Sequence, residues 1–407
     1  MRNWSELNHD LLGEIVLKLA AIEDFVYFSV VCRSWNRASS LVKCTWKPTM
    51  PYLLLAKNEF QNPKFLRKVY SLSSDRCYKL SLPHTFRFRC WGSAFGWIVI
   101  QAGPSCITNP FTNARIRLPF VPTMWCEVTP LDNEDELATF YRQVTTRKLV
   151  VIQDVESGND GGNDGGNGLI VFAMHTNWKR SLAFARPGDL TWTSVVAPRQ
   201  PFTFRAADVV RRDRLVLILY EDSSVGYVEL SDLSKSINLE QSSVQAKEFV
   251  PSPSPGDFKP RLSGMHLLEM YLVDSFGSLL MVLRHKSTKW DPNGEVSEDE
   301  VYKTVRFEVF GIDFKTKKWD RLKDLGDVAL FVGDNQSMSV RASDCRNCKS
   351  NCIYFTDDCD ELWDLPGYAG GHDMGFYDLE DGKIYQFYKG GNVHSTHCTP
   401  FWFVPHF

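Results

Sequence analysis

The sequence predicts a mainly β protein, in which a short N-terminal helical module precedes a β-propeller of six or seven blades. Apolar residues recur at helical spacing only near the start of the 407-residue chain. Beyond residue 50, short runs rich in Val, Ile, Leu, Phe and Tyr alternate with turn clusters, and one hairpin phrase returns five times.

The helical stretch comes first. Leu11, Leu12, Ile15, Val16 and Leu19 form one apolar stripe, with Glu14 and Lys18 on the other side. Asn8 has the chemistry of an N-cap, and Asp10 stands where the helix dipole favours an acid. A second pattern, Phe25, Phe28, Val31, Cys32 and Trp35, follows Glu23 and Asp24, which mark a further helix start. The reading is two or three short amphipathic helices. About 40 residues bury too little surface to be stable alone, so these helices need cover. Burying six such side chains would gain roughly 1.5 to 3 kcal/mol each before association costs. The pattern leaves two covers open: a partner protein, or the chain's own following domain.

The strands come next. The runs at 52–56, 68–72, 96–100, 148–153, 168–174, 214–220, 278–284, 305–314 and 352–356 have strand composition and are bounded by turn residues. Many short strands indicate a sandwich, barrel or propeller. The repeated hairpin chooses among them. One strand leads through a polar turn to an aromatic or aliphatic residue about six positions on, in Leu72 to Tyr78, Asn109 to Ile116, Arg186 to Trp192, Asp313 to Trp319 and Asp378 to Ile384. Successive copies start 37, 77, 127 and 65 residues apart, and each long gap leaves room for another unit, one of them near 224–233. Units of about 40 to 50 residues with a closing Trp are the size of propeller blades. A generic antiparallel sandwich with similar turns is the alternative.

Particular residues add two resemblances. Leu7, Asp10-Leu11-Leu12, Ile15, Leu19, Asp24 and Val31-Cys32-Arg33-Ser34-Trp35 resemble the F-box, a three-helix module that binds Skp1-type adaptors in cullin-RING ubiquitin ligases. Asn8 stands where that family usually has proline, and it has the chemistry to cap the helix that proline would have pre-set. The phrases at 92–100, 109–119, 182–192, 310–337, 351–358 and 375–382, in this order, resemble the plant F-box-associated domain once labelled DUF295, now described as a KIB1-4-type β-propeller. The resemblances imply an F-box at 1–45, a propeller at 50–395 and a C-terminal segment at 396–407. They imply that Leu7, Leu11, Leu12, Ile15, Leu19, Val31, Cys32 and Trp35 form or support the Skp1-binding surface. The implied function is substrate recognition in an SCF (Skp1-cullin-F-box) ligase, with a protein target on the propeller, no catalysis and no cofactor. A non-ligase protein that only sequesters Skp1 and a propeller enzyme are the rivals.

Composition agrees with an intracellular chain, nuclear or cytoplasmic. A net charge of -3 suggests neither nucleic acid nor membrane as a partner, and no stretch is long and apolar enough to cross a bilayer. Eleven cysteines at irregular spacing suit reduced thiols. Cys345, Cys348, Cys352 and Cys359 are the most metal-like cluster, but the second CxxC of a zinc ribbon is missing, and reduced thiols are the preferred reading. His394, His397 and Cys398 form a weaker trio. The Gly-rich run at 158–168 reads as a loop insertion, and 251–257 and 287–300 as solvated loops. No nucleophile elbow, zincin helix, Walker loop or dinucleotide fingerprint occurs.

Overall fold

The computed structural model describes residues 4–43, 45–46, 48–56, 66–82, 89–101, 105–119, 146–154, 168–175, 182–198, 205–235, 243–252, 267–288, 302–358, 371–388 and 399–407. Three helices open the chain: α1 (His9–Leu17), α2 (Ile22–Ser29) and α3 (Arg33–Val42). The Asn8 side chain caps α1 by accepting from the Asp10 N–H at 3.2 Å. The second sequence pattern is split. Phe25 and Phe28 lie on α2, Val31 and Cys32 in the link, and Trp35 on α3.

Six sheets follow, one per blade. Blade 1 contains β1 (Tyr52–Leu54), β2 (Leu66–Ser71) and β3 (Arg76–Ser81), with β26 (Phe401–Phe403) from the far end of the chain paired to β1, Tyr52 opposite Phe403. Part of the segment set apart as C-terminal is thus the innermost strand of the first blade, which closes the ring. Blade 2 is β4 (Cys90–Gly92), β5 (Ile98–Ile100), β6 (Cys106–Thr108) and β7 (Arg115–Arg117). Blade 3 is β8 (Thr146–Gln153), β9 (Leu169–His175), β10 (Leu182–Ala185) and β11 (Thr193–Val196). Blade 4 is β12 (Ala206–Arg212), β13 (Leu215–Tyr220), β14 (Val225–Glu229) and β16 (Lys247–Val250). Between β14 and β16, a short helix α4 (Leu230–Lys235) leads to β15 (Ser243–Gln245), which joins blade 3 in parallel with β11.

Blade 5 is β17 (Leu267–Ser275), β18 (Ser278–Thr288), β19 (Tyr302–Asp313) and β20 (Lys318–Leu322). Blade 6 is β21 (Val328–Val332), β22 (Met338–Arg341), β23 (Cys352–Phe355), β24 (Gly375–Asp378) and β25 (Lys383–Tyr385). All nine strand-like runs fall on strands. The five repeated phrases are the outermost hairpins of blades 1, 2, 3, 5 and 6. Blade 4 carries the α4 detour where the sixth copy would stand, at the predicted 224–233, and among the described residues the other long gap holds no further blade. The ring therefore has six blades.

The phrase recurs because its turn has strict chemistry. Asn113, Lys317 and Gly382 each hold a positive φ four residues after an Asn or Asp. That residue's side chain accepts a backbone N–H two positions on: Phe111 to Asn109 at 2.9 Å, Lys315 to Asp313 at 2.8 Å and Glu380 to Asp378 at 3.0 Å. Ring closure depends on Gly92. A Cβ there would lie 2.0 Å from the Trp402 carbonyl oxygen, and Gly92 of blade 2 also forms a parallel bridge with Asn335 of blade 6. Among the described residues, no helix is long and apolar enough to cross a membrane.

Candidate functional site

The helices are fastened to the ring by one side. Leu12, Val16, Phe25 and Phe28 share a core cluster with Tyr52, Leu54 and Val69 of blade 1, Ile98 and Ile100 of blade 2, and Phe401 and Phe403 of β26. The Phe25 ring packs on Trp46 at 4.6 Å and on Phe407 at 5.0 Å between centroids. Polar bonds lock the same seam. Tyr52 accepts the Ile22 N–H at 2.9 Å and donates to Glu23, whose carboxylate also accepts from Ser71 at 2.9 Å. Burial alone would raise the Glu23 pKa, yet hydrogen bonds from Tyr52, Ser74 and Ser71 and from its own backbone hold it below the usual value.

The opposite side stays uncovered. Among the described residues, nine of the fourteen exposed large apolar side chains lie within residues 4–41, about a tenth of the chain. Two of the nine, Val26 and Tyr27, line a cleft against blade 1, and the other seven give this module an exposed apolar content of the kind that accompanies interaction surfaces. Leu11 and Ile15 share a face of α1 and are 53% and 37% exposed, and Val31, in the α2–α3 link, is 58% exposed.

The other residues implied by the F-box resemblance sit deeper. Leu12 is fully buried. Leu7, Leu19 and Trp35 pack partly buried against the module core. Trp35 packs tilted against Phe28 at 4.4 Å between centroids and donates from Nε1 to the Trp4 carbonyl at 3.1 Å. Cys32, half-buried, is the N-cap residue of α3 and makes no side-chain cap bond. Leu7, Leu12, Leu19 and Trp35 thus belong to the module core, whereas Leu11, Ile15 and Val31 are exposed. Val30 and Leu41, at 72% and 76% exposure, lie outside the family phrases, and only the end of each helix in space brings them out.

Two clefts lie elsewhere. One of about 200 Å³ runs between α2 and blade 1, lined by Ile22, Val26, Tyr27, Tyr78, Leu80 and Phe111 among others. Another of about 670 Å³ lies between the outer strands of blades 5 and 6, beside Glu308, Arg321 and Tyr377. The densest group of buried charges is not open. Arg284, fully buried, pairs with Asp358 and Asp373 at 2.9 Å each and donates to the Thr356 carbonyl at 2.7 Å. Lys286 joins Asp358 at 2.9 Å. Burial disfavours both charged forms, but Lys286 and Arg284 outweigh it and hold the Asp358 carboxyl well below the usual range. Each charge answers another, so the cluster works as a clamp between blades 5 and 6.

Cys345, Cys348 and Cys352 are free, and burial raises their pKa values to about 11, 12 and 12. Among the described residues, no group of three or more His, Cys, Asp or Glu side chains is placed to hold a metal ion. Cys359, His394, His397, Cys398, most of the Gly-rich run at 158–168, and all but the ends of the loops at 251–257 and 287–300 lie outside the described residues.

Comparison with known proteins agrees with both halves. Residues 4–47 match the F-box domain, and residues 69–378 match the KIB1-4 beta-propeller. F-box protein SKIP23 of Arabidopsis thaliana is 25% identical over 94% of this chain and 91% of its own length. F-box protein At2g26160 of the same plant is 22% identical over 87% of this chain and 95% of its own. Among solved structures, a hydrazine synthase chain of Kuenenia stuttgartiensis aligns with 82% of this chain and 90% of its own at 8% identity and a TM-score of 0.32, a likeness too slight to bear on fold or function. With its N-terminal helices matched by one family and most of its ring by the other, the chain is a plant F-box protein of the KIB1-4 β-propeller family.

Proposed function

We propose that the chain is the substrate-recognition subunit of an SCF-type ubiquitin ligase. An F-box joined to a propeller, in a family of F-box proteins, supports a substrate-recognition role in general terms. The observation that carries the finer reading is the division of the helical module into a face packed on the ring and a face left apolar and open. Leu11, Ile15 and Val31 grip a Skp1-like adaptor. Leu12, Leu19, Trp35 and Leu7 hold the helices that present them, and Cys32 opens the last helix. Through the adaptor the chain joins a cullin, and the ring holds a protein target.

The chain does no bond chemistry in this reading. It raises the concentration of target lysines near a charged E2, which converts an encounter between two molecules into a reaction within one assembly. The seam matters to that task. Glu23, Tyr52 and the Phe25–Trp46–Phe407 ring cluster join the helices to the ring, so adaptor and target are held at a fixed separation. The test is a pull-down of a Skp1 homologue and a cullin by the wild-type chain and by a Leu11→Ala/Ile15→Ala double variant. Wild type retains both and the variant retains neither. Skp1 retained without cullin would favour a sequestering protein, and no Skp1 binding at all would overturn the reading.

A further inference from the structure

The ring carries an exposed aromatic patch of its own on blade 5. Phe276 sits at the tip of the β17–β18 hairpin, 52% exposed, with a positive φ of 45°. The next residue, Gly277, has φ 93°, so this is a two-residue turn of the kind that favours Asn-Gly. A phenylalanine there accepts backbone strain, and its half-exposed ring gains little burial in return. Phe314 stands at the tip of the β19–β20 hairpin, 37% exposed. The pairing of Leu280 with Gly311 puts both tips at one end of the sheet.

Cations surround these rings. The Arg341 guanidinium, from blade 6, lies 4.5 Å from the Phe276 centroid. Arg212, from blade 4, lies 4.9 Å from Phe314, pairs with Asp274 and donates to the Gly277 carbonyl at 2.7 Å. The Lys317 ammonium is 3.9 Å from the Phe249 ring and 5.8 Å from Phe314. Among the described residues, Arg341 and Lys317 have no carboxylate partner. Asp274 answers Arg212, so Arg341 and Lys317 are the cations beside these rings that a docked carboxylate could pair with.

We infer that this end of blade 5 is where the ring docks its protein target, and that the docked segment carries acidic side chains beside an aromatic or aliphatic one. Carboxylates of the segment pair with Arg341 and Lys317, and its apolar residue covers Phe276 and Phe314. Charge selects acidic segments, and the rings reject those with nothing apolar to lay against them. This rests on reading the ring as the holder of a protein target.

The test titrates the full chain into a fluorescein-labelled peptide of glutamates interrupted by two phenylalanines, followed by anisotropy. Controls replace its phenylalanines by alanine or its glutamates by lysine, and a labelled oligouridylate tests nucleic acid. The acidic aromatic peptide binds, and each peptide control binds at least about tenfold more weakly. Arg341→Ala/Lys317→Ala weakens binding about tenfold, and so does Phe276→Gly, a substitution that suits the turn and leaves the melting temperature unchanged or higher. Equal binding of the lysine peptide, no effect of these variants, or tighter oligouridylate binding lost with the same variants would overturn the inference. The Leu11→Ala/Ile15→Ala variant keeps this peptide binding, so failure of the adaptor pull-down and failure of this titration are separate outcomes.

Discussion

The Tyr52 hydroxyl accepts the Ile22 N–H at 2.9 Å while donating to the Glu23 carboxylate, so a blade 1 strand caps a helix of the N-terminal module. Ala21, the N-cap residue, makes no side-chain cap bond, and the ring supplies what it lacks. Tyr52→Phe leaves a buried donor and a buried carboxylate each short of a partner. The expected cost is about 1–3 kcal/mol of stability in denaturant unfolding. Hydrogen exchange should rise first at the start of α2. An unchanged unfolding midpoint would mean that the seam does not depend on this bond.

Adjacent leucines in α1 should behave oppositely. Leu12 is fully buried, so Leu12→Ala opens a cavity and costs about 2–5 kcal/mol. Leu11 is 53% exposed, so Leu11→Asp leaves the melting temperature within a degree or two of wild type. Leu11→Asp abolishes capture of a Skp1 homologue, and that combination separates a binding role from a structural one.

His175 gives the fold a sensitivity to acid. Burial lowers its pKa from 6.5 to about 4. The unfolded chain therefore takes up a proton near pH 6.5 that the folded chain refuses until about pH 4. Stability from this group is complete above pH 6.5 and falls by about 3 kcal/mol as the pH drops to 4. Urea midpoints measured across that window should fall less steeply for His175→Gln than for wild type. Parallel slopes would show that the imidazole titrates alike in both states.

Thiol reactivity should follow burial. With pKa values near 11 and 12, Cys345, Cys348 and Cys352 hold almost no thiolate at pH 8. Cys77 is exposed. Iodoacetamide followed by mass spectrometry should label Cys77 in the native chain, and the other three only after denaturation. Rapid native labelling of Cys352 would contradict its buried place within blade 6.

Legibility from sequence depended on how local each cause was. The outer hairpins could be read because Asn109, Asp313 and Asp378 bond within their own turns, so their chemistry lies within six residues. The first helix could be read because its stripe and its Asn8 cap are equally local. β26 could not, since Phe403 pairs with Tyr52 across most of the chain, and three residues show no periodicity. The division between Leu11 and Leu12 needed the ring beneath α1. Phe276 left a trace in Phe-Gly at a tight turn, where asparagine is the usual choice, but only the fold shows that its ring faces water.

Phe401, Phe403 and Phe407 lie under helices α1 to α3, so residues synthesised early come to rest on residues synthesised more than 350 positions later. A polypeptide interrupted before residue 401 would lack the floor beneath Phe25 and the strand beside Tyr52. Its leading helices would stay loose and greasy, material for chaperones and proteases. In the intact product, the grip on other proteins matures together with the circle that is meant to carry cargo.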